Sequence, residues 1–212
     1  MNDPILNQWL KNLKNLKSRK DSYLPINLNL LLIIPFIIVF LILSENNIFS
    51  GNGATNKNLF NIILKGEISK DDRNYLVINK NKSIQLDDIK ASLIIIELFN
   101  TYCTICPQNM KILNDVFISL EKNKQLDKKI KIIAIASGNN ENEIKEYKKN
   151  HNIKFPIFID YDFKIHKLLG NPRVPYTIFI KKPDKKVVHI HQGLFNSSNE
   201  IIEKINEIII TK

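Results

Sequence analysis

The sequence predicts an α/β domain, a mixed sheet flanked by helices, preceded by one N-terminal transmembrane helix. Three observations predict it. Short isoleucine-rich runs alternate with segments whose apolar residues recur at helical spacing, the pattern of strands joined by helical crossovers. Near the C-terminus two strand-like runs are separated by only a short turn, which adds an antiparallel hairpin to that sheet. The stretch "LLLIIPFIIVFLIL", Leu30 to Leu43, is uncharged and wholly apolar.

Extended back to Ile26, that stretch reaches 18 residues, the lower limit for crossing a hydrocarbon core of about 30 Å. Pro35 suits a membrane helix, which repairs the lost hydrogen bond locally, better than a helix in water. Lys11, Lys14, Lys17, Arg19 and Lys20 precede the stretch against Asp3 and Asp21, whereas Glu45 and uncharged residues follow it as far as Lys57. The positive-inside rule keeps the N-terminus in the cytoplasm and exports the chain beyond it. Residues 1–25 read as a cytoplasmic basic amphipathic segment, with Ile5, Leu6, Trp9, Leu10, Leu13 and Leu16 at helical spacing to lie on the inner leaflet. Residues 26–44 read as an uncleaved transmembrane anchor. The alternative is a cleaved signal peptide, although the small residues Gly51, Gly53 and Ala54 stand far from the apolar run. Residues 45–72 open with clustered Asn, Ser and Gly and read as a linker carrying one short helix around Leu59 to Leu64.

The exported domain occupies residues 73–212. Alternation in "YLVINKNKSIQL" predicts strands at Tyr75 to Asn79 and Ser83 to Leu86, joined by a polar turn at Lys80 to Lys82. "LIIIELF", Leu93 to Phe99, is a nearly continuous apolar run and predicts a strand buried on both faces. Met110, Leu113, Val116, Phe117 and Leu120 then recur at helical spacing. Ile130 to Ser137 is the next buried strand, Glu141 to Lys149 a charged helix, and Phe155 to Asp160 another strand. A short helix around Phe163 to Leu169 leads to the hairpin Tyr176 to Lys182 and Val187 to His191, turning at Pro183-Asp184, and an amphipathic helix from Ser198 to Ile210 closes the chain.

Composition excludes more than it assigns. The net charge of +10 comes from lysines scattered through the whole length, without the basic aromatic stripe of a nucleic-acid surface, so no nucleic-acid partner is expected. Two cysteines make no disulfide framework, and no further Cys with nearby His completes a four-ligand zinc site.

Those two cysteines stand three apart, where the strand ending at Phe99 gives way to a helix. Unpartnered N–H groups and the positive end of the helix dipole face Cys103 there and stabilise its thiolate, lowering the pKa from about 8.5. Cys106, one turn further on, lies within disulfide reach and is expected to be less exposed. Cys103 therefore attacks and Cys106 resolves, a reversible two-electron shuttle that needs no bound cofactor beyond the redox-active Cys103–Cys106 disulfide. Glu97 interrupts the apolar strand six residues earlier. Buried, it would have a raised pKa and could take the proton from Cys106; otherwise it faces a loop or a lysine. Pro175 in "RVPYTIFI" either starts a strand or forms a cis Val174–Pro175 bond beside the cysteines, exposing a backbone edge to a substrate peptide.

Together "ELFNTYCTICPQNM", "KIIAIASGNNENEIKEYKKNHNIKFPIFID" and "HKLLGNPRVPYTIFIKKPDKKVVHIHQG" resemble the thioredoxin superfamily, and more closely its membrane-anchored TlpA/ResA-like thiol:disulfide oxidoreductases, or redoxins. The resemblance implies a thioredoxin-like mixed sheet with an extra β-α unit, Ile130 to Lys149, between the active-site helix and the proline. It also implies Cys103 and Cys106 as the redox pair, Pro175 as the cis-proline and Glu97 as the buried acid. Tyr102 stands where Trp is usual; it keeps an aromatic wall for substrate and adds a hydroxyl. Gly is missing at "DIKAS", and Thr-Ile replaces Gly-Pro inside the motif.

The resemblance favours a reductase of exported cysteine-containing proteins, such as apocytochrome c, recharged by a membrane protein that carries electrons across from cytoplasmic thioredoxin. Two alternatives share residues with it. A peroxiredoxin-like peroxidase would place a Thr where Asn100 stands and a Pro in the loop ahead of Cys103. A copper chaperone would add a soft third ligand to the two thiolates. Met110 reads as core, His151 and His166 as surface residues. His189 and His191 alternate on one strand and so share a face, the most metal-like coincidence in the chain, yet read as exposed strand residues.

Overall fold

The computed structural model describes residues 59–79 and 84–210. The expected amphipathic segment, anchor and first part of the linker lie outside them. Among the described residues no helix is long and apolar enough to cross a membrane.

The chain enters through β1 (Ile63–Leu64) and α1 (Lys70–Leu76), then β2 (Ile84–Gln85) and a 3-10 turn (Leu86–Asp88). The central strand β3 (Leu93–Phe99) follows, and after it α2 (Cys106–Glu121), α3 (Lys124–Lys129) and β4 (Ile130–Ser137). Next come α4 (Glu141–Asn150), β5 (Ile157–Asp160), α5 (Lys164–Leu168), the hairpin β6 (Tyr176–Lys181) and β7 (Lys186–Gln192), and α6 (Ser198–Ile210). The main sheet has the order β5-β4-β3-β6-β7. Strand β3 pairs in parallel with β4 and antiparallel with β6, so the sheet is mixed, with β3 at its centre.

All seven β3 side chains are buried because both sheet faces are covered. Ile95 and Phe99 pack with α2, α4 and α6 on one face; Ile94, Ile96 and Leu98 pack with Leu76, Ile165 and the N-terminal segment on the other. Two successive right-handed crossovers, β3-α2-β4 and β4-α4-β5, put α2 and α4 on the same face. Gly138 turns the chain out of β4 with φ +74°, and a Cβ there would collide with the Phe163 ring. Only glycine accepts both the φ and the contact without displacing that ring.

The entry to the domain differs from the sequence expectation. Residues Tyr75 and Leu76, expected in a strand, belong to α1, because Ser69 and Asp72 form a reciprocal capping box that starts a helix. The Tyr75 hydroxyl accepts a hydrogen bond from the Ile132 N–H at 2.8 Å, which fastens α1 across β4. Strand β2 matches the second expected strand but pairs antiparallel with β1, not with a neighbour at 75–79; the expected turn at 80–82 lies outside the described residues. The linker reading also fails for its last part. Leu59, Phe60 and Leu64 are buried in the core, so the domain begins by residue 59 and not at 73. A helical turn at 59–60 and strand β1 stand where one helix was expected. The 3-10 turn and α3, the latter capped by Asn123, were not expected either.

Phe60 tests that boundary. It is 1% exposed, with the Lys182 and Lys185 ammonium groups each 5.5 Å from its ring. Phe60→Ala is expected to cost about 3 kcal/mol in urea unfolding of the full-length protein; a residue in a free tether would change stability by less than about 0.5 kcal/mol.

Candidate active site

The loop between β3 and α2 carries the cysteines. Helix α2 begins at Cys106 with Ile105 as its N-cap, which offers no side-chain cap, and with a proline in its first turn. The Cys106 N–H instead points at the Cys103 sulfur, 3.2 Å away. The two sulfurs are bonded, with their Cα atoms 5.4 Å apart. Cys106 is fully buried and Cys103 partly exposed. An N–H and the start of a helix dipole at that position favour a thiolate over a thiol. A substrate disulfide can reach Cys103 and not Cys106.

Glu97 has no exposed surface. Thr177 donates its hydroxyl to one carboxylate oxygen at 2.5 Å, and Asn109 donates its amide to the other at 2.9 Å. Burial raises the carboxyl pKa to about 7, against the opposing effect of these two donors. Asn109 lies one turn beyond Cys106 on α2, and its amide oxygen accepts from the Phe195 N–H at 3.0 Å. Glu97 is thus tied, through Asn109, to the helix that Cys106 opens.

On the β6 side of β3, the Val174–Pro175 peptide bond is cis, and the Val174 carbonyl oxygen lies 3.8 Å from the Cys103 sulfur. On the β4 side, Tyr102 is 76% exposed, yet its hydroxyl donates to Glu143 on α4 at 2.5 Å. That bond raises the Tyr102 phenol pKa and lowers that of Glu143. The hydroxyl anticipated for substrate is therefore engaged within the protein.

Cys103, Cys106, Glu97, Val174 and Pro175 converge, and Tyr102 borders them. Asn109, Thr177, Asn139 and Glu143 received no role from the sequence. Thr177 was visible two residues after Pro175, Asn109 three after Cys106, and Glu143 through the Asn140-x-x-Glu143 capping box. Met110 is in the core. His191 stacks on Phe195 with ring centroids 3.7 Å apart, and His189 meets Phe179 edge-on. His166 faces the Pro172 carbonyl at 3.0 Å, in the stretch that leads to the cis bond. Among the described residues no group of three His, Cys, Asp or Glu is placed to hold a metal ion.

The AhpC/TSA family profile matches residues 72–190. The thiol-disulfide oxidoreductase ResA of Bacillus thuringiensis is 28% identical over 127 residues, which cover 59% of this chain and 70% of that protein. A secreted Mycobacterium tuberculosis disulfide oxidoreductase, described as homologous to Escherichia coli DsbE, superposes with TM-score 0.54 at 11% identity, covering 71% of this chain and 98% of its own. The exposed lipoprotein thioredoxin Etrx1 of Streptococcus pneumoniae superposes with TM-score 0.50 at 19% identity, covering 69% and 98%. The fold is thioredoxin-like.

The Glu97 burial predicts a pH dependence. Its folded pKa of about 7 lies above the ordinary 4.5, so between those values the folded state binds more protons than the unfolded state and stability falls as pH rises. The sum is about 3 kcal/mol, lost by pH 8. Urea unfolding of the oxidised full-length protein should show this slope, and Glu97→Gln should remove it. Parallel profiles for the two proteins would mean that Glu97 does not titrate there.

Proposed function

The chain belongs to the AhpC/TSA family and is a thiol-disulfide oxidoreductase with a CxxC pair at 103–106, and on that premise we propose that it reduces disulfides of exported proteins on the outer side of the cytoplasmic membrane. The observation that carries the proposal is the asymmetry of the pair: a partly exposed sulfur at a helix start bonded to a buried one.

In the reduced protein the Cys103 thiolate attacks one sulfur of the substrate disulfide, and the other leaves as a thiolate that takes a proton from solvent. Cys106 then attacks the Cys103 sulfur of the mixed disulfide, giving its proton to Glu97, and the second substrate sulfur departs as a thiol after protonation from solvent. The protein is oxidised by two electrons and the substrate reduced by two. Val174 and Pro175 offer a backbone edge beside Cys103 for an extended substrate peptide, and Tyr102 an aromatic wall. No cofactor enters these steps. Export rests on the basic residues ahead of the apolar stretch at 26–44, and reduction outside the cell requires a membrane electron donor to recharge the disulfide. Apocytochrome c, or another exported cysteine-containing protein, is the client class.

Cys106→Ser should trap clients as mixed disulfides in cells, identifiable by mass spectrometry, while Cys103→Ser traps none and lowers insulin-disulfide reduction to background. If the wild type reduces no protein disulfide and Cys106→Ser captures no partner, the proposal is wrong.

A further inference from the structure

The cysteine loop leaves the central strand between two neighbours. Strand β4 lies on one side of β3 and β6 on the other, and because β6 is antiparallel its start, just after Val174–Pro175, sits beside the end of β3. The C-terminal end of β4 and the start of α4 form the opposite flank. A peptide crossing the top of β3 would therefore meet the Val174–Pro175 edge as one wall and the β4-α4 turn as the other.

The second wall is tied to the cysteine loop at three consecutive residues. Asn100 donates its side-chain amide to the Ser137 carbonyl at 2.6 Å. Thr101 donates its N–H to the Asn139 side-chain oxygen at 3.1 Å, and its hydroxyl accepts from the Asn139 amide at 2.5 Å. Tyr102 donates its hydroxyl to Glu143. Asn139, fully buried, also donates to the second Glu143 oxygen at 3.2 Å, which closes a ring of hydrogen bonds through Thr101, Asn139, Glu143 and Tyr102. The Asn140 N–H adds a third donor to that carboxylate at 2.8 Å. Within the loop, the Tyr102 N–H donates to the Asn100 side-chain oxygen at 2.7 Å and the Cys103 N–H to the Asn100 carbonyl at 3.1 Å.

A ring that is three-quarters exposed keeps one place only if its far end is held, since a free tyrosine rotates about two side-chain bonds. Glu143 supplies that hold from forty-one residues away. We propose that Glu143, through Asn139 and the Tyr102 hydroxyl, is a positioning residue that fixes the Tyr102 ring as the wall opposite Val174–Pro175 and so sets affinity for an extended peptide around the substrate cysteine. The inference rests on the oxidoreductase reading above and adds to it which substrates the site favours. A small-molecule disulfide reaches the Cys103 sulfur without spanning both flanks and has no use for the wall; a protein segment lies across both flanks and needs it.

The test compares two substrates on the full-length protein. For reduction of a protein disulfide, insulin's, Tyr102→Phe and Glu143→Ala are each expected to raise KM about five-fold, the order of one ordinary net hydrogen bond, with kcat unchanged in the Glu143 variant. The double variant is expected to match the singles, because either change breaks the same bond. Reduction rates for a small aromatic disulfide should stay at the wild-type value in the Glu143 variant. An unchanged insulin KM in both single variants would overturn the proposal. So would an equal loss on both substrates, which would mark the ring of bonds as support for the loop alone. A wild type inactive on both substrates would remove the oxidoreductase reading and this inference with it.

Discussion

Helix α2 starts without a side-chain cap, and its first N–H is directed at the sulfur of Cys103. Most of the site depends on that vacancy. A Ser or Asp at the cap position would have satisfied the N–H groups and drawn the dipole's effect onto itself. With Ile105 there instead, the Cys106 N–H is left to the Cys103 sulfur. The proline in the first turn costs nothing, since its missing N–H would have had no helical partner.

The second constraint is a carboxyl group in a strand with no exposed side chain. Glu97 is tolerated because Thr177 from β6 and Asn109 from α2 each give it a hydrogen bond, yet two donors do not replace water, and its proton stays to near-neutral pH. The same arrangement ties three elements together. Strand β3 brings the acid, β6 the hydroxyl, and α2 both the amide and Cys106. A buried carboxyl whose pKa is raised to about 7 is thus a consequence of how the central strand is covered.

Much of this was legible in the chain. Isoleucine-rich runs gave β3, β4 and β5, helical spacing gave α2 and α6, and the hairpin was marked by Pro183-Asp184. The Cys103–Cys106 spacing and the single acid inside β3 were readable because each breaks an otherwise uniform pattern. What escaped was set by competition between short-range signals or by long-range pairing. Tyr75 and Val77 alternate like a strand, but the Ser69–Asp72 capping box committed the preceding residues to a helix, leaving Val77 as its left-handed cap. Leu59, Phe60 and Leu64 read as part of a linker because the core cluster they join includes residues such as Ile178 and Phe158, about a hundred residues away. Glu143 read as one charge on a solvated helix; its partner Tyr102 is brought to it only by the β4-α4 crossover.

The central claim is that Cys103 is the charged, accessible thiol and Cys106 the protected one. Alkylation of the reduced full-length protein across pH, with each cysteine followed by mass spectrometry, tests it most directly. Cys103 should react with a midpoint well below the ordinary thiol value of about 8.5 while Cys106 stays largely unmodified. Two cysteines reacting alike with a midpoint near 8.5, or Cys106 reacting first, would contradict the account.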